Sequence, residues 1–151
     1  MLIPDVNILI YAYDSTAPHH AAARAWWESS LRGERPVALP WATMLGFIRI
    51  MTHPAIQQQP MRVSDCVRRV RAWLEHPRVG ILTPGDQHAE ILFRFLTHLG
   101  AAGNLTTDAH LAALAVEYQA ELVSTDADFA RFPGLRCFNP LKPNSLRPAR
   151  K

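Results

Sequence analysis

Met1-Leu2-Ile3-Pro4-Asp5 opens the chain with three apolar residues halted by a proline and an acid. The pattern predicts a short strand that delivers Asp5 to its carboxyl end. An apolar stretch, Val6–Tyr13, follows at once, interrupted by Asn7. Beyond it, helical and strand patterns alternate. Ser15 or Thr16 with Pro18 reads as a helix start, Ala23, Trp26, Trp27 and Leu31 keep helical spacing, and Gly33 stops it. Val37-Ala38-Leu39, bracketed by Pro36 and Pro40, reads as a second strand. Trp41, Met44, Leu45, Ile48 and Met51 form the stripe of a helix that ends by Pro54. Ser64 is the expected cap of a helix carrying Val67, Val70 and Leu74, followed by a third strand, Val79–Leu82. Asp86 is expected to open a helix with Ile91, Leu92, Phe95 and Leu99 on one face. Thr107 is expected to cap the next, with Leu111, Leu114, Ala115 and Tyr118 together. Residues 122–124 then read as a fourth strand, 126–131 as a short helix and 135–138 as a fifth strand. This alternation predicts an α/β domain, a parallel sheet covered by helices on both faces.

Composition narrows the function classes. At 151 residues, with 48% hydrophobic and 19% charged residues, the chain suits one globular domain. Its apolar runs fall far short of the roughly 20 residues of a membrane span. Asp5 and Asn7 interrupt what would be the apolar part of a signal peptide, so a cytoplasmic protein is expected. Cys66 and Cys137, the only cysteines, read as free thiols. The net charge of +3 comes from the end of the chain: residues 141–151 hold Lys142, Arg147, Arg150 and Lys151 and no acid, which leaves −1 for the rest. The basic balance therefore does not by itself announce a nucleic-acid-binding body. Lys142 is also the first lysine, which rules out a P-loop, and G-x-S-x-G, H-E-x-x-H and C-x-x-C are absent.

Three acids fall at comparable places: Asp5 after the first strand, Asp126 after the fourth, and Asp108 in the first turn of the helix that feeds the fourth. Ligands of open parallel sheets sit beyond the strands' carboxyl ends, where the strand order reverses, so these acids can meet there. Taken singly, each is equally a turn or cap residue. Together they conflict, because carboxylates about 4 Å apart repel by roughly 4 kcal/mol at an effective dielectric near 20. A cluster of three must bind a cation or hold a proton. Hard oxygen ligands point to Mg²⁺ or Mn²⁺.

These residues resemble the PIN-domain ribonucleases, specifically the VapC toxins of bacterial toxin–antitoxin pairs. Leu2-Ile3-Pro4-Asp5-Val6-Asn7 is similar to the family's opening D-x-N. Gly103-Asn104-Leu105-Thr106-Thr107-Asp108-Ala109-His110 is similar to its acid at a helix start, and Ser124-Thr125-Asp126-Ala127-Asp128-Phe129 to its closing S-T-D-x-D-F element. The resemblance implies a PIN-like three-layer α/β/α domain over residues 1–140, with 141–151 as a basic, flexible tail. It further implies an Mg²⁺- or Mn²⁺-dependent endoribonuclease whose catalytic and metal-holding residues are Asp5, Asp108 and Asp126. Asn7, Thr107, Thr125 and Asp128 are then supporting residues, and a VapB-type antitoxin, an RNA substrate and a second copy of the chain are its partners. One departure is plain. Where the family places a Glu at the helix after the second strand, this chain has Gly46, and no acid occurs between Arg35 and Ser64. Loss of that ligand weakens the case for a second metal ion.

RNA would also need a basic surface, for which Arg62, Arg68, Arg69 and Arg71 are the candidates, although a solvated helix face explains them equally. The four tryptophans read as core more than as stacking platforms. His110, two residues from Asp108, should lie on another helix face and share no metal with it. Two other classes compete. A PIN-like RNA-binding or regulatory protein would have lost cleavage along with the acid at Gly46. A phosphoacceptor domain using Asp5 as nucleophile would want a lysine late in the sheet region, where this chain has none.

Overall fold

The computed structural model describes residues 1–100 and 102–142. Its sheet strands are β1 (Leu2–Pro4), β2 (Val37–Pro40), β3 (Val79–Leu82), β4 (Glu121–Val123) and β5 (Cys137–Phe138). The α-helices are α1 (Val6–Tyr13), α2 (His20–Arg32), α3 (Trp41–Met51), α4 (Val63–Glu75), α5 (His88–Leu99) and α6 (Thr106–Glu117). Short 3-10 turns, Gly103–Leu105 and Ala127–Arg131, precede α6 and follow β4. All strand pairings are parallel, in the order β3-β2-β1-β4-β5. The basic tail expected over 141–151 lies outside the described residues from position 143 onward. Among the described residues no helix is long and apolar enough to cross a membrane.

Alternation along the strands makes the three layers. Leu2, Val37, Leu39 and Val123 face one core, with Trp27, Met44, Phe47, Cys66 and Trp73 from α2, α3 and α4. Ile3, Ala38 and Leu122 face the other, with Ile91, Phe95 and Leu111 through Ala115 from α5 and α6. A period of two sends neighbouring side chains to opposite faces, so strands of three or four residues contribute to both cores. In the first core, Tyr13 Oη accepts from Trp73 Nε1 at 2.8 Å and from Trp27 Nε1 at 3.3 Å. The hydroxyl satisfies two indoles that are almost wholly buried.

Several local expectations need correction. Helix α4 begins before Ser64, with Arg62 at its cap position, and α5 follows Gln87 rather than Asp86; neither has a side-chain cap. Thr107 lies inside α6, whose start is continuous with the preceding 3-10 turn. Thr106 N–H bonds Gly103 O there, so backbone carbonyls serve the donors that a cap would have taken. Cys66, Val70 and Trp73 form the buried face of α4, one step round from the expected stripe, and this leaves Val67 41% exposed. Tyr118 is equally exposed, beyond the end of α6. Trp27 and Trp73 are core, whereas Trp41 is 51% exposed. Helix α2 starts at His20, because Asp14 holds Thr16 through its backbone N–H and its hydroxyl and keeps that segment in a turn. Strand β4 ends at Val123, which puts Ser124 just past it.

Tyr13→Phe should therefore lower the urea midpoint without changing the m-value. The expected loss is about 2 kcal/mol, since two buried indole N–H groups lose their acceptor. An unchanged midpoint would show that the hydroxyl carries no such burden.

Candidate active site

The chain runs β1, β2, β3 in one direction across the sheet and returns to place β4 on the other side of β1. The crevice past the carboxyl ends of β1 and β4 is thus where the strand order reverses. Asp5 stands there, 6% exposed, at the cap position of α1. Its Oδ1 accepts from Val6 N at 2.7 Å, and its backbone N–H bonds Val123 O. Thr43 of α3 donates to Pro4 O at 3.2 Å and ties that helix to the same strand end.

Ser124 is the hub. Its hydroxyl donates to Asp5 Oδ2 at 2.7 Å and accepts from Asn7 Nδ2 at 3.1 Å and Asp126 N at 3.0 Å. One buried oxygen therefore fixes side chain or backbone at three of the positions singled out in the sequence. Asp126 in turn accepts from Asp128 N at 2.8 Å and starts the 3-10 turn. Asn7 Oδ1 is buried without a partner. Thr107 is exposed, and neither it nor Thr125 hydrogen-bonds a carboxylate among the described residues. The orienting role expected of Thr125 thus falls to its neighbour. The motif Ser124-Thr125-Asp126 held the clue, but only the exact end of β4 shows which hydroxyl turns inward.

The acids feel one another. Burial first, then the charges of Asp5, Asp126 and Asp128, push Asp108 up to about 6. Burial likewise raises Asp5, against the bonds from Ser124 and Val6, with Asp126 adding to the rise. The topology therefore brings together Asp5, Asp108, and the Asp126 and Asp128 pair from three separate places in the sequence. Among the described residues, however, no three His, Cys, Asp or Glu side chains are drawn into a finished metal-binding group. The donor set is nevertheless the hard, anionic oxygen set that suits a cation such as Mg²⁺, which keeps several of its waters and binds through one or two carboxylates.

At Gly46, a Cβ would meet Val6 Cγ2 at 3.2 Å. Helices α1 and α3 pack closely there, with Val6 against the backbone of Gly46. The basic candidates are spread over α4. Arg68 pairs with Asp65 at 2.8 Å, Arg69 lies over the Tyr13 ring at 5.0 Å, and both line a cavity of about 520 Å³ with Trp73 and His76. Arg62 and Arg71 are exposed on the same helix and its cap.

A second polar cluster had no signal in the sequence. His88 Nε2 lies 2.9 Å from His110 Nδ1, and its other ring nitrogen is 3.7 Å from Glu117 Oε2. Glu117 also accepts from Gly85 N and Gln87 N, which ties the loop before α5 to the end of α6. Burial pushes both imidazoles down and favours their neutral forms. His110 thus turns to His88 and away from the acids, as its spacing from Asp108 predicts.

This fold is that of a known class. The profile of the PIN domain matches residues 2–135. Ribonuclease VapC33 of Mycobacterium tuberculosis is 42% identical over 142 residues, covering 94% of this chain and 99% of that protein. Ribonuclease VapC37 of the same organism is 40% identical over 140 residues, covering 93% and 97%. Among solved structures, VapBC-1 from nontypeable Haemophilus influenzae matches with a TM-score of 0.67 at 19% identity, over 93% of this chain and 98% of that one. The chain belongs to the PIN-domain family, in its VapC group.

Asp108 has a checkable consequence. Its folded-state pKa lies above the ordinary value of 3.8, so the folded state holds the proton longer than the unfolded one, and stability falls as pH rises from about 4 to about 6. Asp108→Asn removes that cost. In EDTA it should raise the melting temperature at pH 7.5 by about 2 °C, a gain discounted for partial exposure, and the gain should vanish by about pH 4. A scan of melting temperature against pH reads both ends.

Proposed function

We propose that this chain is an endoribonuclease and the toxin of a VapBC-type pair, with Asp5, Asp108 and Asp126 as its reactive centre. The observation that carries the reading is the Ser124 hydroxyl holding Asp5, Asn7 and the backbone of Asp126 together past the ends of β1 and β4, in a chain 42% identical to a named ribonuclease. Asp5, Asp108 and Asp126 would hold Mg²⁺ or Mn²⁺, and the unpartnered Asn7 Oδ1 beside Ser124 is a further oxygen at the same place. When bound, such an ion lowers the pKa of its water and offsets the charge that builds on a phosphate.

The protein's own share is placement. Ser124 pins one oxygen of Asp5, leaves the turn of that carboxylate little freedom, and sets the backbone from which Asp126 projects. Asn7 supports Ser124, and Asp128 adds negative charge and fixes Asp126 through its N–H. Arg62, Arg68, Arg69 and Arg71 are the proposed phosphate-tracking surface; Arg69 is spread over an aromatic ring and Arg68 is shared with Asp65. The partners proposed are a VapB-type antitoxin, RNA and a second copy of the chain, in the cytoplasm.

Gly46 favours one other reading, an RNA-binding PIN domain without cleavage, since the usual fourth acid is absent and Val6 occupies its approach. Cleavage of single-stranded RNA in Mg²⁺ or Mn²⁺ separates the two. On the first reading, EDTA abolishes it and Asp5→Ala, Asp108→Ala and Asp126→Ala each lower it by at least about a hundredfold, with circular dichroism unchanged. Tight RNA binding with no cleavage in either metal would support the second.

A further inference from the structure

Beside Asp126, on the β5 side of the crevice, lies a cavity of about 230 Å³. Its walls come from the segment leaving β4, the 3-10 turn after it and the end of β5, with Thr125, Asp126, Ala130, Cys137, Phe138 and Asn139 among its lining residues. We infer that this cavity receives one unpaired nucleobase of the RNA, next to the phosphate held at the acids, and that Asn139 and Thr125 select a base presenting a carbonyl oxygen. The inference rests on the ribonuclease reading for its substrate.

Position, size and chemistry converge on that occupant. Asp126 belongs both to the acid cluster and to the cavity wall, so a phosphate at the acids has its neighbouring nucleoside within one nucleotide's reach. The volume is below the roughly 300–1,000 Å³ of sites for drug-sized ligands, and suits a single ring system. Phe138 and Leu135, both half-buried, supply apolar wall for the faces or edges of a base. The polar groups are the informative part. Asn139 Oδ1 accepts from Leu141 N at 2.9 Å, which fixes the orientation of the amide and leaves Nδ2 a donor without a partner among the described residues. The Thr125 hydroxyl also has no partner among them. Two groups able to donate, in a half-enclosed cavity, call for an acceptor that can take both bonds: a carbonyl oxygen of uracil, cytosine or guanine has two lone pairs, whereas each acceptor of adenine is a ring nitrogen with one. Cys137 does not oppose an electron-rich edge, because burial, then the nearby Asp5 charge, pushes its thiol up to about 11 and keeps it neutral. Lys142 is also among the lining residues.

The test uses the full chain and a single-stranded RNA pool randomised at every position, with cut ends mapped by sequencing in Mg²⁺ or Mn²⁺. Wild type should show one position next to the cut that disfavours adenine. Asn139→Ala should reduce that preference about tenfold, the worth of one lost hydrogen bond, and Thr125→Val should reduce it without disturbing the Asn139 turn. Ala130→Trp, an exposed position on the wall, should depress cleavage of every RNA while the melting temperature holds. Cleavage with the same preference in Asn139→Ala and Thr125→Val would overturn the inference and leave the ribonuclease reading standing. Absence of cleavage by wild type would sink that reading instead. A titration followed by NMR then decides the cavity alone: uridine monophosphate should shift the Asn139 side-chain amide more than adenosine monophosphate does. Equal shifts, or none, would overturn it.

Discussion

Carboxyl groups crowded at one end of a parallel sheet repel one another, and this repulsion organises everything around it. Relief can come from protons, cations or distance, and the fold limits distance. Strand β4 lies against β1, so whatever follows each strand must share the crevice between their ends. Burial first, and then the charges of its neighbours, keep the proton on Asp108 to about pH 6, well above an ordinary carboxyl. Negative charge gathered in this way is relieved by a proton or a cation.

Holding such a cluster requires a rigid mount. Ser124 provides it with one hydroxyl that serves Asp5, Asn7 and the backbone of Asp126, while Thr43 anchors α3 to the end of β1. Behind this, the two cores divide the work. The aromatic core under α1 closes around Tyr13, and the smaller residues of α6 let that helix lie close against the sheet, with Asp108 in its first turn. Glu117 ties the far end of α6 to the loop before α5, and the His88–His110 contact ties its first half to α5, two residues from Asp108. The acid cluster is costly, and the packing around it is what makes that cost bearable.

Gly46 illustrates how packing and chemistry trade places. Its missing side chain leaves room that Val6 takes up, and the contact at 3.2 Å would press on any Cβ put there. Change at position 46 is thus coupled to the fit of two helices. Reinstating an acid at 46 would require Val6 to yield as well.

Composition, strand alternation and motif order were enough to specify an α/β domain with a parallel sheet and to single out Asp5, Asp108 and Asp126 as candidates; the acid missing at Gly46 came from the family resemblance alone. Those features are local: a period of two or of 3.6, a proline or glycine at a boundary, an acid a fixed step beyond a strand. Choices that depend on contacts distant in sequence were not legible. Whether Ser124 or Thr125 turns toward Asp5 depends on where β4 stops, which its pairing with β1 decides across more than a hundred residues. The buried face of α4, the exposure of Trp41 and the pairing of His88 with His110 likewise depend on which neighbour arrives, and a helix stripe one step round looks nearly the same in sequence. The residues and their order selected the chemistry available to the chain. Only the assembled sheet decided which hydroxyl orients it and which cavity lies beside it, because hydrogen bonds and enclosed space are set by geometry between segments and not within them.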